Sequence, residues 1–216
     1  MQAAHVLGLE VGRLLIDEEN EPDAPRAGAG AVAKEPGRLD HGGHAAAVVV
    51  GATGAACDRD GKLASSGRVD EGALARLLAH AYFTRRPPKS LDRTAFDAWL
   101  KRVGGLAGIS VEDAAATLTA FTAKTLARAA FMLPRPPVSF IVAGGGARNP
   151  ILMRRIADEL APARVQSADA VGWSAAALEA QALGYLAVRS LRSLPLTFPG
   201  TTGVATSTNG GVLVRL

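Results

Sequence analysis

From Cys57 onward the apolar and polar positions fall into runs that predict a succession of helices and buried strands. Leu74, Leu77 and Leu78 share one face of a helix predicted over Glu71–Tyr82, with Asp70 at its start. The prolines of Arg85-Arg86-Pro87-Pro88-Lys89-Ser90 exclude a helix there. A short amphipathic helix, Asp92–Leu100, then carries Phe96 and Trp99. Ser110-Val111-Glu112-Asp113 has the form of a capping box, with the Ser side chain accepting from the Asp113 amide and the acid reaching back. It opens a long helix in which Val111, Ala115, Leu118, Thr122, Thr125 and Ala129 recur near helical spacing, and which ends before Pro134.

Val138–Ala143 is a short, mostly apolar run and reads as a buried strand. Three glycines, Gly144–Gly146, follow it. Asn149 then suits an N-cap and Pro150 the first position of a helix that runs through Leu160. Arg164–Gln166 is the next strand. Ser174 caps a further helix to about Leu191, with Leu178, Ala182, Tyr185 and Leu186 facing inward. The order helix, strand, glycine turn, helix, strand, helix is α/β alternation with strands buried between helices.

The two ends are less regular. His5–Leu9 and Leu14–Ile16 suit either strand or helix, and Ala45–Val50 suits a strand because of its β-branched valines. Asp17–Gly43 is rich in Gly, Pro and charge and reads as loop or poorly ordered. Pro195–Leu216 reads as irregular. The chain therefore divides into a divergent segment, residues 1–56, and a regular unit, residues 57–216.

Composition narrows the function. A chain of 216 residues with 48% apolar residues can bury a substantial core. The net charge of +4 is spread along the chain with no Lys/Arg run, which argues against a nucleic-acid partner. The single cysteine, Cys57, excludes a disulfide framework or a cysteine-built zinc site within one chain. The N-terminus lacks the pattern of a signal peptide, and no apolar stretch approaches the roughly 20 residues needed to span a bilayer. A cytoplasmic location and no membrane partner are expected. His41 and His44 read as loop residues, and no side chain is singled out as a metal ligand.

The glycine turn carries the chemistry. Glycine permits positive φ and lets a ligand approach the main chain, and the following helix presents its amide end and positive dipole. In an open α/β sheet, ligands bind at the carboxyl ends of strands. Gly144, Gly145, Gly146 and Asn149 are therefore expected at a nucleotide-binding edge; a turn used only for tight packing is the alternative. No Gly-Lys-Ser/Thr follows, so this is not a P-loop, and the GxGxxG spacing of a dinucleotide site is absent.

The stretch Val142-Ala143-Gly144-Gly145-Gly146-Ala147-Arg148-Asn149-Pro150 with Leu152-Met153 resembles the adenosine-side motif of the anhydro-N-acetylmuramic acid kinase family. Other stretches agree in the same order. They are Asp58-Arg59-Asp60-Gly61 with Ser66-Gly67-Arg68-Val69-Asp70, then Pro87-Pro88-Lys89-Ser90, then Ala115–Thr122, then Val171-Gly172-Trp173, then Leu178-Glu179-Ala180-Gln181-Ala182, then Phe198–Gly203. The resemblance implies an actin-like (ribonuclease H-like) ATPase fold, of which this chain supplies mostly the C-terminal lobe. It implies ATP and Mg2+ as cofactors and a sugar substrate. The reaction would phosphorylate 1,6-anhydro-N-acetylmuramic acid with ring opening to N-acetylmuramic acid 6-phosphate, in cell-wall recycling. Glu179 would reach the sugar, and Lys89 and Ser90 would lie near the cleft.

The same resemblance marks what does not match. Family members place a first domain ahead of this region, and an Asp-Thr-Gly-Pro-Gly-Asn motif whose aspartate serves as general base. Here Glu10-Val11-Gly12-Arg13 with Leu15-Ile16-Asp17 echoes that motif, which makes Glu10 the candidate base; Asp40-His41-Gly42 is a fainter echo. A chain lacking most of one lobe is expected to have little or no kinase activity alone. It would also leave an apolar inter-lobe face open and form homo-oligomers. The alternative function is a non-catalytic nucleotide-binding or oligomerisation module derived from such a kinase.

Overall fold

The computed structural model describes residues 13–16, 57–87, 89, 98–99, 102 and 106–214. Strand β1 (Arg13–Ile16) comes first. A 3-10 turn (Arg59–Gly61) leads into α1 (Lys62–Ser66) and α2 (Glu71–Leu78). The 20-residue helix α3 (Val111–Ala130) precedes β2 (Ser139–Ala143). Helix α4 (Pro150–Leu160) crosses to β3 (Arg164–Ser167), and α5 (Leu178–Leu191) and the single-turn α6 (Pro199–Thr202) are the last elements among the described residues. The three strands form one sheet in the order β1-β2-β3, with β1 antiparallel and β3 parallel to β2.

The central strand is buried on both faces, as expected of a strand between layers. Phe140 and Val142 point to one side, against Ala123, Leu126 and Ala127 of α3 and Ile156 and Leu160 of α4. Ile141 and Ala143 point to the other, against Ala168, Ala175 and Leu178. The alternation is the period of two that a pleated strand imposes.

Helix α3 is the hub. It is buried around its whole circumference from Ala114 to Ala123, because alanine and threonine let three neighbouring helices approach closely, while Lys124 is half-buried and Arg128 exposed further along. Its buried threonines are satisfied locally. Thr119 and Thr122 donate to the carbonyls four residues back, at 2.8 and 3.0 Å, and Thr125 to Thr122 at 2.9 Å. Thr117 Oγ1 accepts from the Asp70 amide at 2.9 Å, which ties α2 to the hub. A second cluster packs α2 on α3 through Leu74, Leu77, Tyr82, Phe83, Leu118 and Phe121. Phe83 meets Phe121 edge to face at 5.4 Å.

Several expectations need revision. The helix predicted over Glu71–Tyr82 stops at Leu78. His80 turns out of the helix, its Nδ1 accepts from the Tyr82 amide at 3.0 Å, and a 3-10 turn (Ala81–Thr84) follows that buries Tyr82 and Phe83. The capping box is half realised. The Asp113 amide donates to Ser110 Oγ at 3.1 Å, but the Asp113 carboxylate accepts from the Arg68 amide at 2.7 Å. That bond, ahead of the neighbouring Ser110 hydroxyl, holds the Asp113 carboxyl below the usual carboxylate range.

Helix α5 begins at Leu178 rather than beside Ser174, whose hydroxyl instead accepts from the Ala177 amide at 3.2 Å in a preceding turn. Tyr185 does not face inward: it is 61% exposed, beside exposed Leu183, Val188 and Leu191. The tail is irregular except for α6 and a bridge between Thr197 and Thr208. Ala45–Val50, His41, His44 and most of Asp92–Leu100 lie outside the described residues, apart from helical Ala98 and Trp99.

Candidate functional site

The site is built at the carboxyl end of β2. Gly144 leaves the strand at φ 88°, ψ −177°, a conformation that only glycine adopts readily, and its amide donates to the Ala175 carbonyl at 3.3 Å. A 3-10 turn (Gly145–Arg148) follows, closed by the Ala147 amide on the Gly144 carbonyl at 3.2 Å and the Asn149 amide on the Gly146 carbonyl at 3.0 Å. Gly145 is exposed, and a Cβ added there would meet nothing within 4 Å. Its backbone is open to a ligand.

Asn149 does what its sequence position predicts. Its Oδ1 accepts from the amides of Ile151 and Leu152 at 3.0 and 3.1 Å, and Pro150 fills the first helical position. One consequence corrects the sequence-based picture. Pro150 has no amide hydrogen, the Asn149 side chain takes the next two amides, and the Met153 amide donates to the Asn149 carbonyl at 3.0 Å. The first turn of α4 therefore does not offer free N–H groups, and the open backbone is that of the glycine turn before it.

Two other segments meet this turn. The Asp58–Gly61 turn docks on the start of α4, with Gly61 against Asn149 and Ile151. The Asp58 carboxylate accepts from the Leu63 and Ala64 amides at 2.8 and 2.9 Å, which fixes the turn to α1. On the other side stands the turn before α5. Asp169 Oδ1 accepts from the Ala175 amide at 3.0 Å, and the Ala175 carbonyl in turn accepts from Gly144. Gly61 belongs to the Asp58–Gly61 turn, a motif legible in the sequence, but its contact with Asn149 and Ile151 joins residues distant in sequence, and no local pattern marks Asp169 as the acceptor of the Ala175 amide.

Glu179 is the second residue of α5, four positions beyond Ala175; its side chain lies outside the described residues. Glu10 and Ser90 lie outside them as well. Lys89 is held away from free solution. Its Nζ donates to the Tyr82 carbonyl at 3.0 Å and sits 4.7 Å over the Tyr82 ring, and burial pushes its ammonium below the usual lysine range, with Arg85 adding to the effect. This geometry makes it a tie between loop and aromatic cluster. Among the described residues no three His, Cys, Asp or Glu side chains group as a metal cage. A groove between α2 and α3, lined by Glu71, Leu78, Lys124 and Arg128, is remote from the glycine turn, and its cations are engaged. Lys124 pairs with Glu159 at 2.7 Å and Arg128 donates to the Leu78 carbonyl. Among the described residues no helix is long and apolar enough to cross a membrane.

The family model described as anhydro-N-acetylmuramic acid kinase matches residues 44–215. Curated relatives with that name include the protein of Rhodopseudomonas palustris (strain HaA2), 52% identical over 164 residues, which are 76% of this chain and 43% of that protein. The Nitrobacter winogradskyi protein is 51% identical over 163 residues, covering 76% of this chain and 43% of its own length. The Methylobacterium nodulans protein is 54% identical over 158 residues, or 73% of this chain and 41% of that protein. The chain thus spans less than half the length of the curated relatives it matches.

Proposed function

This chain belongs to the anhydro-N-acetylmuramic acid kinase family, and on that premise we propose that it forms the ATP-side part of an enzyme acting on 1,6-anhydro-N-acetylmuramic acid. The reaction adds water across the anhydro bridge and transfers the γ-phosphoryl group of ATP to the hydroxyl so released. The products are ADP and N-acetylmuramic acid 6-phosphate, as in cytoplasmic recycling of cell-wall sugars. The fold we propose is the C-terminal lobe of an actin-like ATPase. The observation that carries the reading is the glycine turn at the carboxyl end of the central strand, with the Gly145 backbone open to a ligand.

In this reading the residues have distinct roles. Gly144–Gly146 face the adenosine and phosphates, and Asn149 holds the exit of the turn. Glu179 reaches the sugar from the start of α5, and Glu10 is the candidate general base. ATP would bring magnesium on its phosphates. Phosphoryl transfer depends mainly on holding donor and acceptor in line, so the rigid frame around the turn is this segment's contribution.

Calorimetry with a non-hydrolysable ATP analogue, followed by an ADP-release assay with the anhydro sugar, tests the reading. Nucleotide binding with sugar-dependent ADP release supports the kinase. Nucleotide binding without sugar binding or turnover favours the non-catalytic module. Failure to bind nucleotide refutes both.

A further inference from the structure

The Asp58–Gly61 turn and the start of α4 are distant in sequence and meet at Gly61. A Cβ built on Gly61 would stand 2.5 Å from Asn149 Oδ1, 2.6 Å from Ile151 Cγ1 and 2.7 Å from Ile151 Cβ. Its φ of +70° also disfavours any residue with a side chain. The obstructed oxygen is the one that accepts from the Ile151 and Leu152 amides. Pushing it aside would uncap α4 and release Asn149, whose amide closes the 3-10 turn onto Gly146. Gly61 cannot simply retreat. Its own amide donates to the Asp58 carbonyl at 3.1 Å, and the Asp58 carboxylate is bound to α1.

Gly67, at the far end of α1, provides a contrast. A Cβ there would strike the Glu112 carbonyl in the first turn of α3, on the side of the hub and not at the glycine turn.

We propose that Gly61 is a positioning residue for nucleotide binding: its bare Cα is the surface against which Asn149 is set, and through Asn149 it fixes the shape of Gly144–Gly146. The inference rests on the ATP-side reading above. Sites of this kind depend on a supporting shell that locks the contacting groups.

The test uses the full chain and a non-hydrolysable ATP analogue. Kd is measured by calorimetry, below the melting midpoint of every variant. Gly61→Ala is expected to raise Kd at least about tenfold. Gly67→Ala is expected to lower the midpoint while leaving Kd within about twofold, because its obstruction lies at α3. Asn149→Gly removes the same oxygen with no Cβ at position 61, and glycine at an N-cap costs only a few tenths of a kcal/mol. It is expected to reproduce the weakened binding with little loss of stability, so the inference can be tested even where Gly61→Ala does not fold. Binding by the parent with unchanged Kd in Asn149→Gly or in folded Gly61→Ala overturns this inference alone. No binding by the parent overturns the ATP-side reading and this inference with it.

Discussion

Asn149→Asp separates the two roles assigned to the start of α4. Aspartate is as good an N-cap as asparagine, so both cap bonds, 3.0 and 3.1 Å to the Ile151 and Leu152 amides, are kept. A carboxylate at a helix N-terminus also gains about 0.3–1 kcal/mol from the helix dipole. Stability should therefore be unchanged or slightly raised. The effect on nucleotide binding has the opposite sign. Two like unit charges about 8 Å apart, at an effective dielectric of about 20, repel by about 2 kcal/mol, and a phosphate seated on the glycine turn would feel a repulsion of that order. That corresponds to on the order of tenfold or more in Kd at low salt. Screening at about 0.15 M ionic strength, where the Debye length is about 8 Å, should recover part of the loss. The assay is analogue binding by calorimetry at two salt concentrations, beside thermal melts of the same samples. A variant that melts like the parent and binds the analogue equally well at low salt would refute the placement of phosphates beside this turn.

Other expectations follow from the packing and the charges. Phe140 is 1% exposed between α3 and α4, so Phe140→Ala should lose about 3–5 kcal/mol in urea denaturation; a loss under about 1 kcal/mol would show that the site collapses freely. Asp169→Ala removes the acceptor of the Ala175 amide and should lose about 0.5–1.5 kcal/mol, with faster hydrogen exchange at that amide as the direct readout. His80 is held below the ordinary histidine range by burial first and Arg102 second. Below that ordinary value the unfolded chain binds more protons than the native one, so stability is present above about pH 6.5 and falls as the pH drops through it. His80→Asn, which retains an acceptor for the Tyr82 amide, should flatten the melting midpoint between about pH 5.5 and 7.5. The exposed Leu183, Tyr185, Val188 and Leu191 of α5 should make the chain self-associate, and a clean monomer by light scattering at high concentration would count against that expectation.

What the sequence made legible was local. Asn149-Pro150 announces the start of α4, the apolar run ending at Ala143 announces the central strand, and Ser110 announces α3, because each signal acts within a few residues. The misreadings share a cause. Periodicity placed Leu178, Ala182, Tyr185 and Leu186 on one face of α5, but it does not say whether that face is covered, and Tyr185 is not. The apolar pattern of α2 continues through Tyr82, but the chain turns at His80 because packing Tyr82 and Phe83 onto α3 outweighs another helical turn. The glycine turn was legible as a candidate site, while the contacts that shape it, from Gly61, Asp58, Asp169 and Ala175, arise only when the chain is folded.

The hub helix sets a ceiling on size. Ala115 and Ala116 are at most 1% exposed, and they lie in the stretch Ala114–Ala123, where the helix has no solvent-facing side. Added volume there has no outlet, and overpacking of this kind costs about 1–3 kcal/mol. The same rod carries the anchor of Arg68 and Asp70 at one end and the inner face of β2 along its second half. A bulky substitution at Ala115 or Ala116 would therefore be felt at the Arg68 and Asp70 anchor as a change of spacing. A library randomised at Ala115 and Ala116 and selected for folding should return residues of alanine, glycine or serine size, while the outer face of α5 should accept nearly anything polar.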